Sequence, residues 1–537
     1  MIVLRIRHKI SGYFAVTAMF LTIFLAVTPA QAQVTAFRQA VAEAAALDEE
    51  LAAFYRARDF QGVWTGDDPL VQARRNALLA ALSEAASHGL PAARYDPAAV
   101  IAMLRDARDV TAQARAEVAL SSLFLRYARE VHSGVLVPGR VIPLIKRDVV
   151  YADRTETFEA FLASAPSAFL RGLPPQSSEY ARLMREKMRL EALLASGGWG
   201  ATVPGAALEP GASGERVVAL RNRLIAMGYL GRTVTQTYDA QIKIAVERFQ
   251  EAHGLFVDGV AGASTLDEIN VPLDRRLHAI VVAMERERWN NQPRGDRHIW
   301  VNLADFTAAI VDDDRVTFRT RSVIGALAAD RQTPEFSDEM AFMVINPSWH
   351  VPRSIIVNEY LPALQRNANA AGHLEIVDRA GRRVNRAAAD FSGYSASNFP
   401  YSMRQPPSSS NALGVVKFMF PNPYNIYLHD TPSRDLFGRE VRAYSHGCIR
   451  LNDPRDFAYA LLARQTDDPQ GFFQERLRTG AETRVDLEVP VPVHLDYRTA
   501  FTNVTGGVQF RRDIYGRDAR IWEALAAEGV AIAGVQG

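Results

Sequence analysis

The sequence predicts a multidomain α+β protein, with a mostly helical N-terminal region, a small three-helix module and a β-rich C-terminal domain. Residues 34 to about 200 repeat apolar side chains at helical spacing, for example over 76–86 and 116–131. A loop rich in Gly, Ala and Pro at 197–213 separates this region from the compact module. From about Arg297 the pattern changes to short runs of β-branched and aromatic residues, which favour strands.

The composition is that of an ordinary globular protein. The chain has 537 residues, of which 48% are hydrophobic and 23% charged, enough for about three packed domains. Its formal net charge of +1 lacks the basic excess of a nucleic-acid-binding protein, so we expect no nucleic-acid partner. The sequence predicts a helical scaffold domain, the three-helix module, a β-rich domain and a C-terminal extension. Their predicted bounds are 33–200, 205–272, 297–495 and 496–537.

Residues 1–32 have the features of an export signal. Three basic residues precede an apolar run at 13–27, and a small-residue exit follows at 30–32. The apolar run is shorter than the ~20 residues that a transmembrane helix needs. We therefore expect the chain to be exported, with a membrane tether only if this segment is retained.

The module contains two helical stretches of similar design. In the first, apolar residues fall at i, i+3 and i+7 before Gly228; in the second, they fall at i, i+4 and i+7 before Gly254. A glycine just past the last apolar position is a common helix end. Asp239 is the expected N-cap of the second helix, and Ser264 that of a short third helix. These elements predict a three-helix unit.

The β-rich domain contains a polar interruption and the only cysteine of the chain, Cys448. We interpret residues 354–411 as an insertion that could cover a cleft as a lid. The segment is rich in Asn and Ser and begins with a helical stretch. Cys448 has no partner for an internal disulfide. A lone thiol is usually a small buried apolar side chain. As a nucleophile it needs a nearby base, because an isolated thiol is only a few per cent thiolate at neutral pH.

Two histidines near Cys448 are candidates for that base. His429 ends the strand-like run "NIYLH" at 425–429, whose alternation places Tyr427 and His429 on one face and can hold the imidazole rigid. Nineteen positions separate it from Cys448, enough for a hairpin-like return. His446, two residues from the cysteine, is too close for relaxed in-line geometry. We expect it to play a supporting role, with its backbone N–H near an oxyanion.

Residues after the cysteine add charge and a helix. Arg450 suits a carboxylate, either of a substrate or of the protein. A helix is predicted at 454–464 with Asp453 as its N-cap, and its positive end would favour a thiolate modestly. Taken singly, these residues also fit purely structural roles. His429 could be a hydrogen-bonded core histidine, Tyr427 a half-buried strand aromatic, and Arg450 a partner of a nearby aspartate.

The stretch "HDTPSRDLFGREVRAYSHGCIRLND" resembles the active-site signature of the L,D-transpeptidase (YkuD-type) catalytic domain. In that family an upstream His precedes a Ser-His-Gly-Cys-apolar-Arg segment. The resemblance makes Cys448 the nucleophile and His429 the general base. It implies oxyanion or supporting roles for Asp430, Ser445, His446 and Gly447. It implies substrate-binding roles for Trp349, Tyr427, Arg450 and Asn452.

One residue departs from the commonest family pattern. Asp430 stands where a smaller residue such as Gly often follows the base, which bears on how His429 is oriented. The likeness otherwise extends beyond the signature. "VVALRNRLIAMGYL" and the segment "YDAQIKIAVERFQEAHGLFVDGVAGASTLDEIN" resemble the peptidoglycan-binding type 1 domain. The whole order is similar to a large Gram-negative subgroup with a scaffold domain and a capping insertion, which implies a periplasmic location.

The resemblance implies two acyl transfers between peptidoglycan stem peptides. Cys448 would attack a tetrapeptide donor and release its terminal D-amino acid; the amine of a diaminopimelate-type acceptor would then form a 3→3 cross-link. It also implies acylation by carbapenem-type β-lactams, and it requires no metal or organic cofactor. D-Amino-acid exchange, hydrolysis and attachment of a protein to the wall remain open for the same thioester, as does a non-catalytic wall-binding scaffold. A zinc peptidase is disfavoured, because one cysteine and no HExxH motif leave few ligands.

Overall fold

The computed structural model describes residues 29–503 and 506–532, with side chains from residue 33 onward. Helical and β-rich parts follow each other as expected, which confirms the predicted fold class. The chain divides into two compact units, residues 1–72 with 99–122 and residues 73–98 with 123–537. The apolar run of the predicted export signal lies outside the described residues. Within the described ranges, no helix is both long and apolar enough to cross a membrane.

The region before the module is helical. Its helices are α1 Pro29–Ala45, α2 Glu49–Ala57, α3 Pro69–Ser83, α4 Pro97–Asp106, α5 Val110–Ser133, α6 Pro138–Val141, α7 Arg154–Ala163, α8 Pro166–Gly172 and α9 Ser178–Ala195. Their apolar faces supply buried Leu, Phe and Tyr side chains, as the spacing predicts.

The module consists of α10 Glu215–Met227, α11 Ala240–Ala252 and α12 Ala263–Ile269, around a core of its own. Gly228 ends α10 in the left-handed conformation, with φ of 86°. The Asp239 carboxylate accepts hydrogen bonds from two amides at the start of α11, as predicted. The prediction for Ser264 is wrong. Gly262 precedes α12, and the Ser264 hydroxyl donates instead to a carboxylate oxygen of Glu440, 2.6 Å away.

Helix α13, Leu273–Trp289, links the module to the β-rich domain and carries a buried run of charges. Arg286 pairs with Glu335 at 2.6 Å, and Glu287 pairs with Arg498 at 2.5 Å. Because each buried charge has an opposite charge beside it, the helix can lie inside the protein despite its polar sequence.

The β-rich domain is built on one large sheet. The strands of the domain are β1 Arg297–Asn302, β2 Thr307–Asp312, β3 Arg315–Gly325, β4 Phe336–Ile345, β5 Trp349–His350, β6 Glu375–Val377, β7 Ser402–Gln405, β8 Val416–Met419, β9 Leu428–His429, β10 Ala443–Ser445, β11 Ile449–Leu451, β12 Thr483–Asp496, β13 Ala500–Thr502 and β14 Val508–Phe510. The large sheet has the order β10-β3-β11-β9-β8-β4-β12-β1-β2.

Helices flank this sheet and fill the insertion. They are α14 Arg353–Ile355, continued by a π-helical turn at Ile356–Tyr360, then α15 Leu361–Arg366, α16 Pro454–Leu462, α17 Pro469–Arg478 and α18 Arg517–Ala527. Apolar side chains of the sheet and of α16 and α17 form one core. Strands β5, β7 and β6 form a separate small sheet, and the insertion around them has its own apolar core.

The strand that carries His429 is shorter than predicted. Only Leu428 and His429 form β9, because Asn425 adopts a left-handed conformation with φ of 55° and breaks the alternation. The connection to Cys448 is also not a hairpin. β11 lies parallel to β9, and the intervening β10 pairs with β3 on the other side. In this parallel pairing the two strands run in the same direction, and Arg450 lies beside His429.

Candidate active site

Cys448 directly precedes β11, which lies beside the strand of His429. In the parallel pairing Arg450 stands opposite His429, and the Ile449 amide donates to the Tyr427 carbonyl at 3.0 Å. Side chains two positions apart project from the same face of a strand. The Tyr427 and His429 rings accordingly lie 5.6 Å apart between centroids. The register therefore brings together four residues that the sequence analysis singled out: Tyr427, His429, Cys448 and Arg450.

The half-buried Cys448 thiol contacts the segment before β9. Its Sγ lies 3.5 Å from the Asn425 carbonyl oxygen, which accepts the thiol proton. Burial raises the pKa of Cys448 to about 11, against weaker lowering by hydrogen bonds from Tyr427 and by the charge of Arg450. The resting sulfur is therefore a neutral thiol over the physiological range.

His429 is almost fully buried, and its orientation is fixed by the next residue. Its Nδ1 donates to the Asp430 carbonyl oxygen at 2.5 Å, which assigns the proton to Nδ1 and leaves the Nε2 lone pair free to accept one. Burial, and then the nearby charge of Arg450, lower the pKa of His429 to about 3. The imidazole is therefore neutral at any pH above about 4, with a free lone pair on Nε2, and the same burial lowers its affinity for a proton.

The Asp430 side chain serves the backbone rather than the imidazole. Its carboxylate accepts hydrogen bonds from the amides of Thr431 at 2.7 Å and Val415 at 2.9 Å. It fills the space beside Gly414, where a Cβ would approach within 2.2 Å of the carboxylate. The side chain of Asp430 therefore does not compete for the backbone carbonyl oxygen that holds His429.

Tyr427 links the cysteine to the insertion. Its hydroxyl lies close to the side chains of both Cys448 and Trp349, two residues that the sequence analysis singled out. Burial and the neighbouring thiol raise the pKa of Tyr427 well above its ordinary value, so the phenol keeps its proton. The phenol is thus a hydrogen-bond donor placed at the sulfur.

The turn before Cys448 uses part of its own backbone. Ser445 Oγ accepts from the Gly447 amide at 3.0 Å and donates to the Cys448 carbonyl at 2.5 Å. Gly447 has φ of 118°, a conformation that suits glycine. The Gly447 N–H is therefore engaged within the turn and is not aimed at a substrate. Among the described residues, the Cys448 amide makes no hydrogen bond to a backbone carbonyl of a turn or loop.

His446 points toward the insertion. Its Nε2 lies 2.6 Å from a carboxylate oxygen of Glu359, which also accepts from Arg331 at 2.8 Å. About a third of each side chain of the His446–Glu359 pair is exposed. Sequence reasoning assigned no role to Glu359 or Arg331; a carboxylate in the insertion gives no local signal of a partner 87 positions away.

The two remaining candidates differ in placement. Arg450 lies near both Cys448 and His429, and its half-buried guanidinium has an Nε without a partner among the described residues. Asn452 is engaged by its neighbours: its side-chain N–H donates to Asp453 at 3.0 Å, and its side-chain carbonyl oxygen lies 3.4 Å from Arg434. The Asp453 side chain does not cap α16, since it accepts instead from the Thr320 hydroxyl at 2.8 Å.

Three protein-family models match successive parts of the chain. Residues 49–186 match a "Scaffold domain", residues 213–269 a "Putative peptidoglycan binding domain", and residues 296–481 the "L,D-transpeptidase catalytic domain". The chain thus contains the three domains that its motifs resemble, in the same order.

A curated relative and solved structures are similar over part of the chain. A Haemophilus influenzae protein described as "Putative L,D-transpeptidase" is 31% identical over 246 residues, which cover 45% of this chain and 48% of the relative. The chain therefore matches about half the length of that relative. Crystal structures of L,D-transpeptidases from Xylanimonas cellulosilytica and Stackebrandtia nassauensis are 17% and 14% identical. They cover 55% and 56% of this chain, and 100% and 98% of their own, with TM-scores of 0.17 and 0.22. Such TM-scores are too low to establish a shared fold.

Proposed function

We propose that the chain is an exported L,D-transpeptidase that cross-links peptidoglycan stem peptides through a thioester on Cys448. The observation that carries the proposal is the register of β9 and β11, which sets the single cysteine beside Tyr427 and on the face of His429. The match of the surrounding residues to the L,D-transpeptidase catalytic domain supports the same reaction class.

The first step acylates the cysteine. Cys448 Sγ attacks the carbonyl of an L-centre to D-residue peptide bond in a tetrapeptide donor, while His429 Nε2 takes the thiol proton. The C–N bond then breaks, and the D-amino acid leaves with the proton that His429 returns. Because thiol and imidazole are both neutral at rest, the proton moves during the attack rather than before it.

Hydrogen-bond donors around the sulfur stabilise the tetrahedral intermediate. In this scheme the Cys448 amide and the Tyr427 hydroxyl donate to the oxygen of the attacked carbonyl. The Arg450 guanidinium, which has an unpartnered Nε, suits a carboxylate of the stem peptide.

The second step transfers the acyl group to an amine. The side-chain amine of a diaminopimelate-type acceptor attacks the thioester, His429 accepts a proton from it, and Cys448 leaves as the thiol. The product is a 3→3 cross-link. The peptidoglycan-binding domain would hold the chain at the wall, which requires a location outside the cytoplasm, the periplasm in a Gram-negative cell.

Exchange, hydrolysis and protein attachment use the same thioester and differ only in the nucleophile that resolves it. Incubation of purified tetrapeptide muropeptides with the enzyme, followed by mass spectrometry, separates them. We expect dimers lacking one terminal D-amino acid, and none with Cys448→Ala. Trimmed monomers alone would indicate hydrolysis, and exchanged monomers a D-amino-acid exchange. The absence of all products would favour a non-catalytic wall-binding scaffold.

A further inference from the structure

A buried threonine outside the signature holds the backbone next to the nucleophile. The Thr333 side chain is fully buried, and its Oγ1 donates to the Gly447 carbonyl oxygen at 2.7 Å. The same Oγ1 accepts from the Gly325 amide at 2.9 Å. We infer that Thr333 is a positioning residue, which aims the Cys448 N–H at the oxyanion of the acyl-transfer intermediate. This inference rests on the proposed function, since it concerns the same reaction.

The geometry of the peptide bond connects these two groups. In a trans peptide, the carbonyl of residue i and the amide of residue i+1 point in opposite directions. Thr333 draws the Gly447 carbonyl toward the protein interior, so the Cys448 N–H must point away from it. Gly447 has φ of 118° and, lacking a Cβ, resists rotation of this peptide plane less than other residues would. The hydroxyl supplies the restraint that glycine lacks.

Thr333 is itself held on its backbone. Its carbonyl accepts from Arg517 at 2.7 Å, and its amide donates to the Tyr515 hydroxyl at 3.4 Å. That hydroxyl donates in turn to the Gly325 carbonyl at 2.5 Å. Gly325 lies directly against the backbone that leads to Thr333, because a Cβ there would lie 2.1 Å from the Arg331 carbonyl oxygen. Arg517 and Tyr515, which lie outside the turn, thus hold the backbone of Thr333, and Gly325 joins it to β10 by pairing with Ser445.

The chain offers a matched control on the same strand that carries Gly325. Thr320 is also buried. Its hydroxyl donates to the Asp453 carboxylate at 2.8 Å, with the Arg321 carbonyl oxygen farther away at 3.3 Å, and it accepts from the Asp453 amide at 3.0 Å. It makes no contact with the turn at 445–448. A purely structural role would give the same result for both threonines when the hydroxyl is removed.

The test compares two reactions of the same sulfur in the full-length protein. Acylation by an activated ester forms an oxyanion and needs the aimed N–H, whereas alkylation by iodoacetamide forms none. Removal of one oxyanion donor lowers rates by about 10²–10³-fold. We expect Thr333→Val to slow acylation by roughly that factor, and to leave alkylation within about twofold. Thr333→Ser should restore acylation, and Thr320→Val should change neither rate. Thr333→Ala replaces Thr333→Val if the latter does not fold.

Equal losses in both reactions, or an unchanged acylation rate in Thr333→Val, would overturn the inference. A wild-type protein that the ester fails to acylate would also overturn it. Failure of the proposed function has a different signature: the ester acylates wild-type Cys448 and depends on Thr333, but muropeptides give no product.

Discussion

The turn that carries Cys448 is held differently on its two sides. The inner side rests on neutral, buried hydrogen bonds from Thr333 and Ser445. On the outer side, His446 of the turn contacts Glu359 of the insertion, which also binds Arg331. About a third of each of these side chains is exposed. Loss of one partner of a buried hydrogen bond costs about 1–3 kcal/mol, whereas an exposed ion pair contributes about 0–1 kcal/mol. The outer contact can therefore open while the nucleophile stays in place.

The insertion has an apolar core of its own. Its apolar core is formed by its own residues, among them Ile355, Leu364 and Phe391, and is separate from the core under the large sheet. A segment with its own core can shift by breaking surface contacts alone. That residues 354–411 act as a lid stays a prediction, which the weaker contacts of the outer side make testable.

The largest effect on activity is expected from a change at His429, which lies on the buried side of the nucleophile. His429→Gln keeps a similar size but removes the base, and we expect muropeptide dimer formation to fall by about 10³-fold. His373→Gln, an exposed histidine of the insertion, is the control and should retain wild-type activity. Near-normal turnover of His429→Gln would show that another group takes the thiol proton.

The state of the thiol gives the next largest effect. Because the pKa of Cys448 is raised to about 11, its thiolate fraction should rise about tenfold per pH unit below that value. Iodoacetamide alkylation should therefore accelerate about 100-fold between pH 7 and 9, without levelling off. The same chain unfolded in guanidinium should level off near pH 9. A plateau near pH 6 in the folded protein would indicate a preformed thiolate–imidazolium pair and would contradict the neutral resting state.

The smallest effect is expected on the outer side. Glu359→Gln removes the charge that binds Arg331 and His446 but keeps the shape. Backbone amides of 353–366 should exchange hydrogen about fivefold faster, the factor that corresponds to about 1 kcal/mol, while acylation by a donor peptide changes less than about threefold. Glu375→Gln, which breaks the insertion's ion pair with Arg404, is the matched control and should leave exchange at 353–366 unchanged. A loss of acylation comparable to that of His429→Gln would place Glu359 in the catalytic machinery.

Local patterns sufficed for much of the fold and for the residues around the cysteine. Helical spacing and glycine stops predicted α10 and α11, and the signature pointed to Tyr427, His429 and Cys448, which the sheet brings together. The roles of those residues stay predictions. Local patterns failed where distant partners decide the outcome. The run Glu285–Arg288 is charged but buried, because Arg286 and Glu287 pair with Glu335 and Arg498, which lie far along the chain.

The same limit explains the details that sequence reasoning missed at the site. The left-handed Asn425 and the parallel pairing of β11 with β9 depend on the assembled sheet. Ser264 turns to Glu440 because a carboxylate of another domain lies beside it. Thr333 precedes Cys448 by more than a hundred positions, and a threonine alone carries no signal of the carbonyl it will bind.

The central claim is that the Cys448 sulfur carries the acyl group. Its most direct test is intact-mass measurement of the protein after incubation with a tetrapeptide donor without an amine acceptor, quenched in acid. We predict a mass increase equal to the donor minus its terminal D-amino acid, located on Cys448 by peptide mapping and absent from Cys448→Ala. Product formation without that adduct, or an adduct on another residue, would contradict the account.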